Sequence, residues 1–369
     1  MDIKKKVAVI FGGQSTEHEV SLVSATSILR NIDRTKWNVV AIGITKEGEW
    51  LLYDGDLQKI ATGEWVDIAK KCTNKFIAEQ KYCNTIRNIF YSIGAETKES
   101  PIDVIFPMVH GNNCEDGKLQ GVLELSGIPY VGPNVLSSAV CMDKVFAKIM
   151  FEKAGIPTCK YISAMRDDIS KDKDFIVKKI EKELGYPCFI KPANAGSSVG
   201  VSKAYNKEEL INAFIEAGKY DRKILIEEFV DGREVESAVL GNEDPQVAVL
   251  GEAITGGDFY DYDFKYNSPD SKTVIPADID EETKSKIQAY AKKAFIALNC
   301  EVLSRVDFFV HRKTGKVLLN EINTLPGFTD ISMYPKMWEK SGVPIGQLID
   351  RLLELAMDRF KKGEIQITK

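Results

Sequence analysis

An unbroken apolar run, Val7 to Phe11, stops at Gly12-Gly13, and the following "STEHEVSLVSATSILRNI" switches to helical spacing, with Val20, Val23, Ser24, Ser27, Ile28 and Ile32 near one face. This predicts a buried strand, a glycine turn and a helix capped by Ser15 or Thr16. Such a unit opens a doubly wound α/β layer, in which ligands sit at the carboxyl ends of the strands. Further strands are predicted at 38–44 and 103–108 and a helix at 118–125, whereas 54–100 has weak periodicity and predicts no element. A Pro/Gly-rich link then leads to one helix over 137–154, stopped by Gly155 and Pro157. Strands at 188–191, 200–204 and 223–229 and a helix at 207–217 follow, with antiparallel strands dominating from about Glu227. The C-terminal "PIGQLIDRLLELAMDRFKK" carries an apolar stripe, Ile345, Leu348, Ile349, Leu352, Leu353, Ala356 and Phe360, which is core packing.

At 369 residues the chain calls for two or three domains around a shared cleft. A net charge of -5 gives no general basic field, which argues against nucleic-acid binding. Any polyanion must be held by local Lys, Arg and backbone N–H groups. The seven cysteines are scattered without a CxxC pair and read as free thiols in a reducing compartment. The first apolar run is too short for a signal segment or a membrane span, so the expectation is a cytoplasmic protein without membrane attachment.

Two stretches carry candidate chemistry. In "FIKPANAGSSVGVSKAY" a strand delivers Lys191 into a turn of small residues, Gly196, Ser197, Ser198 and Gly200. Small residues let backbone N–H groups approach phosphate oxygens, with the lysine as a compact positive charge beside them. An ordinary glycine hairpin has the same composition, and the stretch alone does not separate the two.

"EVLSRVDFFVHRKTGKVLLNEIN" reads as a hairpin across "HRKTG". Pairing Val310 near Leu318 sets Asp307 opposite Glu321 and Arg305 opposite Asn323. Facing acids repel unless a cation lies between them. An all-oxygen set from Asp, Glu and Asn suits Mg²⁺ shared with substrate phosphates. The guanidinium of Arg305 can stabilise anionic oxygens in a transition state, and the Gly327 N–H in "TLPGFTDIS" can serve as a second donor. The alternatives are a solvated polar face and a plain Arg305 salt bridge. A long Gly/Asp/Tyr-rich stretch over 254–277 reads as a lid.

The motifs "GGQSTEHEVS", "HGNNCEDGKLQGVLELSGIPYVG", "MDK", "KPANAGSSVGVSK", "FYDYDFKY", "SRVDFF" and "NEINTLPGFT" resemble, in order and nearly end to end, those of the D-alanine–D-alanine ligases of the ATP-grasp superfamily. The resemblance implies a mixed α/β and α+β chain, an N-terminal doubly wound domain (1–133) followed by the two-domain ATP-grasp fold (134–226 and 227–369). It implies that ATP phosphorylates one D-alanine and the amine of a second attacks the acylphosphate, yielding D-alanyl-D-alanine for peptidoglycan precursors, ADP and phosphate. Glu17 would hold the first ammonium, with Ser197 and Tyr266 bonded to it, His110 at the wall and Ser332 at the second carboxylate. Lys144, Lys191, Ser198 and Lys265 would grip ATP phosphates, with Lys265 also near the second carboxylate. Glu227, Glu228, Phe229 and Val230 would follow the base, and Glu234 the sugar. Asp307, Glu321 and Asn323 would hold two Mg²⁺ or Mn²⁺ ions, and Arg305 and Gly327 the oxyanion. A monovalent cation and a homodimer also belong to the family picture.

"HGNNCEDG" and "TDIS" depart from patterns common among relatives, at positions that bear on substrate fit. The Lys265-Tyr266 pair favours D-alanine as second substrate, with D-serine or D-lactate as the alternative. A non-catalytic nucleotide-binding protein would lack the metal and oxyanion groups that are present here.

Overall fold

The computed structural model describes residues 4–77, 89–90, 94–98, 100–196, 198–254 and 272–363. Four strands, β1 (Lys5–Gly12), β2 (Trp37–Ile44), β3 (Trp50–Tyr53) and β4 (Val104–Val109), form the first sheet, in the order β3-β2-β1-β4. β1 runs parallel to both β2 and β4, the arrangement expected of a doubly wound layer, and β3 is an antiparallel edge. Helix α1 (His18–Asn31) follows β1. Neither Ser15 nor Thr16 takes the capping position; it falls to Glu17, whose side chain makes no capping bond to the helix amides. Ser15 Oγ instead accepts from Glu17 N at 3.1 Å. Val23, expected on the apolar face, is 43% exposed.

The second sheet joins β5 (Tyr161–Met165), β6 (Cys188–Pro192), β7 (Ser202–Ala204) and β8 (Lys223–Glu228) in the order β5-β8-β6-β7. It packs on helices α2 (Lys173–Glu183) and α3 (Lys207–Tyr220) through Ile176, Ile180, Leu210, Phe214 and Ile226. Asn206 starts α3 by accepting from Glu209 N at 3.0 Å.

The third sheet is antiparallel throughout: β9 (Gly232–Gly241), β10 (Gln246–Val247), β11 (Gly251–Ile254), β12 (Lys272–Val274), β13 (Val302–His311) and β14 (Val317–Asn323). Its core, with Phe151, Phe295, Val306, Phe308 and Leu319, includes one face of helix α4 (Glu281–Ala297).

The helix expected over 137–154 is two helices, α5 (Val135–Met142) and α6 (Lys144–Lys153). Asp143 breaks it with an extended backbone, and its carboxylate accepts from Val145 N and Phe146 N. The same carboxylate pairs with Lys223 Nζ at 2.5 Å and with Asn194 Nδ2 at 3.3 Å. Partners brought by the second sheet therefore outweigh helical continuity at this position.

Helices α7 (Met333–Lys340) and α8 (Ile345–Gly363) return the chain to its beginning. The apolar stripe of α8, with Leu348, Ile349, Leu352 and Leu353, lies in the same core as the first sheet. Asp350 on that helix accepts from Trp37 Nε1 at 2.8 Å and Lys36 Nζ at 2.5 Å, and the Arg359 guanidinium lies 4.4 Å over the Tyr130 ring. No helix among the described residues is long and apolar enough to cross a membrane. Asp350→Ala removes the acceptor of a buried indole N–H, and the expected cost is about 1–3 kcal/mol in urea-induced unfolding, with the larger part coming from Trp37.

Candidate active site

The hairpin β13–β14 brings together the charged face that its sequence suggested. Arg305 lies opposite Asn323 and Asp307 opposite Glu321, as expected. The expected anchor is off by one, since Val310 pairs with Val317 rather than Leu318. A bulge after Asp307 absorbs Asn320, because the next pair along the ladder is Phe308 with Leu319. One extra residue reverses the facing of everything beyond it. Without the bulge Asp307 would meet Asn320, and Glu321 would point to the other face of the sheet.

Arg305 binds Asp307 through two nitrogens, Nε to Oδ1 at 2.8 Å and Nη2 to Oδ2 at 2.6 Å. Its Nε also lies 2.9 Å from Glu236 on β9. Burial would lower the pKa of this guanidinium, but Asp307 and Glu236 outweigh it and raise the pKa well above the ordinary arginine value. Asn323 Nδ2 donates to Asp307 Oδ2 at 2.9 Å, and Lys144 Nζ lies 3.4 Å from Glu321. Facing acids thus have positive charge on both sides, and oxygen atoms of Asp307, Glu321 and Asn323 share one side of the sheet. That donor set fits a hard divalent cation. Among the described residues no group of three or more His, Cys, Asp and Glu side chains is placed to hold a metal ion, so the set depends on the Asn323 carboxamide oxygen as well as the two carboxylates.

The helix break at Asp143 sets Lys144 at the first position of α6, where its Nζ also reaches Ala195 O at 2.9 Å. Four residues on, the same helix delivers Lys148, fully buried, to Glu227 at 2.6 Å, and Lys191 from β6 meets the other oxygen of Glu227. Burial alone would push Glu227 up; the two lysines outweigh it and hold the carboxyl below the usual carboxylate range. Both lysines are raised in turn, against the pull of their own burial. Glu228 Oε1 accepts from Lys160 N at 2.8 Å, and Lys203 Nζ lies 4.0 Å over the Phe229 ring.

Ser198 has a left-handed backbone, φ 58, unusual for a residue with a side chain and concentrated at functional turns. Beside it, a Cβ on Gly196 would come within 2.3 Å of a Glu17 carboxylate oxygen, and a Cβ on Gly111 within 2.5 Å of the same atom. Glycine is what allows the Lys191 turn and the His110 loop to close on Glu17. His110 is buried, donating from Nδ1 to Leu325 O at 2.9 Å, with Nε2 3.4 Å from Ser24 Oγ. Ser24 Oγ accepts from Phe328 N at 3.2 Å.

One cavity of about 560 Å³ is lined by Glu17, His110, Ser198 and Lys191 towards the first domain and the small-residue turn, by Lys144, Glu227, Glu228, Phe229, Val230 and Glu234 along the strands, and by Arg305, Asp307, Glu321, Asn323 and Gly327 on the third sheet. Ser332 stands just behind: its Oγ accepts from Thr329 N at 3.0 Å and would be 2.9 Å from a Cβ on Gly327. Ser197, Lys265 and Tyr266, together with residues 255–271 of the expected lid, lie outside the described residues; the end of that stretch forms strand β12.

Two family models match the chain: the D-ala D-ala ligase N-terminus over residues 6–133 and the D-ala D-ala ligase C-terminus over residues 150–354. The chain belongs to the D-alanine–D-alanine ligase family. It is 56% identical to the D-alanine–D-alanine ligase of Acetivibrio thermocellus over 98% of both chains. Against that of Ruminiclostridium cellulolyticum the identity is 53%, covering 99% of this chain and 98% of the relative. Among solved structures, the VanG D-Ala:D-Ser ligase from Enterococcus faecalis superimposes with a TM-score of 0.81 at 39% identity, covering 96% of this chain and 100% of that one. The D-alanine–D-alanine ligase from Coxiella burnetii gives 0.81 at 36%, covering 97% and 95%. The fold of these ligases, an N-terminal domain followed by ATP-grasp domains, is the fold of this chain.

Sequence reading missed four groups in this ligase site: Lys148, Glu236, Ser24 and Glu115. Lys148 follows Lys144 at helical spacing, and Glu236 follows Glu234 at strand spacing, so both signals were present in the local pattern. Their partners, Glu227 and Arg305, come from other strands. Lys148→Met should destabilise the fold by about 3 kcal/mol at neutral pH, because Glu227 loses one of its two cations in a buried setting. The lowered Glu227 pKa means its contribution is full above the unfolded value of about 4.3 and fades as pH falls below that. The gap between wild type and variant in urea titrations should therefore shrink on acidification below about pH 4.

Proposed function

We propose that this chain joins two molecules of D-alanine into D-alanyl-D-alanine with cleavage of ATP to ADP and phosphate. The observation that carries this reading is the single cavity in which Glu17, the lysines Lys144 and Lys191, and the Arg305–Asp307–Glu321–Asn323 face all meet. The high identity to D-alanine–D-alanine ligases over nearly the whole chain supports D-alanine in both positions over the D-alanine–D-serine and D-alanine–D-lactate alternatives.

Each end of the cavity suits one part of the reaction. Glu17, seated against Gly111 and Gly196, offers a carboxylate to the ammonium of the first D-alanine, with Ser197 and Tyr266 assigned to hold it in place. That orientation turns the substrate carboxylate towards the phosphate side, where Lys144, Lys191 and Ser198 face ATP and Lys265 is assigned to the γ-phosphate. The base lies along Glu227 to Val230 and the sugar by Glu234. Asp307, Glu321 and Asn323 would hold Mg²⁺ or Mn²⁺, which supplies neutralisation of phosphate charge.

The γ-phosphoryl group passes to the carboxylate oxygen of the first D-alanine, giving an acylphosphate and ADP. The neutral amine of the second D-alanine, its carboxylate directed by Ser332 and Lys265, attacks the acyl carbon. Arg305 and the Gly327 N–H stabilise the oxyanion, His110 walls the first substrate, and phosphate leaves with the amine proton released to solvent. The product class places the chain in peptidoglycan precursor synthesis in the cytoplasm; a homodimer and a monovalent cation are further parts of the proposal.

Incubation with ATP, Mg²⁺ and a panel of D- and L-amino acids and D-lactate should yield ADP and D-alanyl-D-alanine by mass spectrometry, and absence of that dipeptide would overturn the reading. Glu321→Gln should lower ADP formation by at least about 100-fold with an unchanged circular dichroism spectrum; unimpaired turnover would remove Glu321 from the metal site.

A further inference from the structure

Glu115 comes from the loop between β4 and the helix Lys118–Ser126, and no role is assigned to it above. Its two carboxyl oxygens accept from two backbone amides: Oε2 from Gly111 N, four residues back in the same loop, at 2.6 Å, and Oε1 from Leu325 N, far along the chain, at 3.2 Å. Gly111 adjoins His110 and seats Glu17, whereas Leu325 stands two residues before Gly327. The side chain lines the same cavity.

Among the described residues, side chains of the first domain hydrogen-bond the segment that carries Gly327 at three points. His110 Nδ1 binds Leu325 O, Ser24 Oγ accepts from Phe328 N, and Glu115 accepts from Leu325 N. Glu115 also accepts from Gly111 N within its own loop, so one side chain ties the Gly111 turn that seats Glu17 to the segment just before Gly327.

We propose that Glu115 is a positioning residue that clamps the Gly111 and Leu325 amides together and thereby holds the Gly327 N–H in register with the acyl carbon. The clamp rests on the ligase reading given above. Its setting is charged: Glu17 faces it from the start of α1, and Arg305 acts on it from β13. Burial first, and Glu17 second, raise its pKa to about 8, against the pull of the two amides and Arg305. Holding a carboxyl group there is costly unless both donors are satisfied, which is what the geometry shows.

A misplacement of about 1 Å at a reacting centre lowers rates by roughly 100-fold. Glu115→Ala should accordingly lower kcat about 10- to 100-fold with the KM for ATP within about twofold of wild type. It should also speed amide hydrogen exchange in peptides containing Gly111 and Leu325. Glu115→Gln retains one acceptor oxygen and turns N–H towards the other amide, so its kcat should fall more than twofold below wild type and stay above that of the alanine variant. A kcat for Glu115→Ala within twofold of wild type overturns the proposal, and so does a loss matched by an equal rise in the KM for ATP together with a lower melting temperature. If the alanine variant does not fold, Glu115→Gln decides, and a kcat within twofold of wild type overturns the clamp. Wild-type protein that makes no D-alanyl-D-alanine defeats the ligase reading instead, while the exchange measurement still reports on the clamp.

Discussion

Everything at the centre of this chain is arranged around a guanidinium that cannot shed its charge. Arg305 is largely buried on β13, and burying it is tolerable only with counter-charges at hydrogen-bond distance. Asp307 meets it along its own strand and Glu236 from the neighbouring strand β9. The outer faces of those carboxylates, and of Glu321 across the hairpin, then give a strip of oxygen atoms that attracts further cations. Lys144 already lies against it.

A second charge centre stabilises the cavity wall formed by β6 and β8. Glu227 is sandwiched by Lys148 and Lys191, with Cys159 Sγ at 3.2 Å and Thr158 Oγ1 on Lys148 at 2.8 Å. It ties α6, β6 and β8 into one unit, so the cavity lysines Lys144 and Lys191 are placed by a buried ion group rather than by flexible surface chains. The chain's two ends complete the frame. The α8 stripe fills the core of the first sheet, and the segment from Leu325 to Phe328 is bonded to Ser24, His110 and Glu115 of the first domain. The cavity is therefore walled by parts of the chain some 200 to 300 residues apart.

Local pattern made much of this legible. Strands and helices with clear periodicity appear within a few residues of where the apolar runs put them, and Glu321, Asn323, Asp307 and Arg305 were marked by polar residues intruding on one face of an apolar hairpin. The pairing of those four was anticipated from a hairpin anchored one residue away from the real one, and the bulge at Asn320 made up the difference. A bulge leaves no mark in hydrophobic alternation when a polar residue sits beside other polar residues, as Asn320 does beside Glu321. The break at Asp143 was likewise invisible to periodicity, since the apolar stripe continues across it; the reason for the break lies in Lys223 and Asn194.

The order of motifs along the chain determined the family, the reaction class and most of the groups that face the cavity, because such chemistry demands particular residue types at short spacings. Which side chains act on one another was decided only in three dimensions. Glu115, Ser24, Lys148 and Glu236 are ordinary helix, loop or strand residues until a second segment arrives with an amide, an imidazole, a carboxylate or a guanidinium at hydrogen-bond distance. The physical reason is that burial turns a polar side chain from an inexpensive surface group into one that must be matched. The matching partner is set by the packing of sheets and domains, not by neighbours in the sequence.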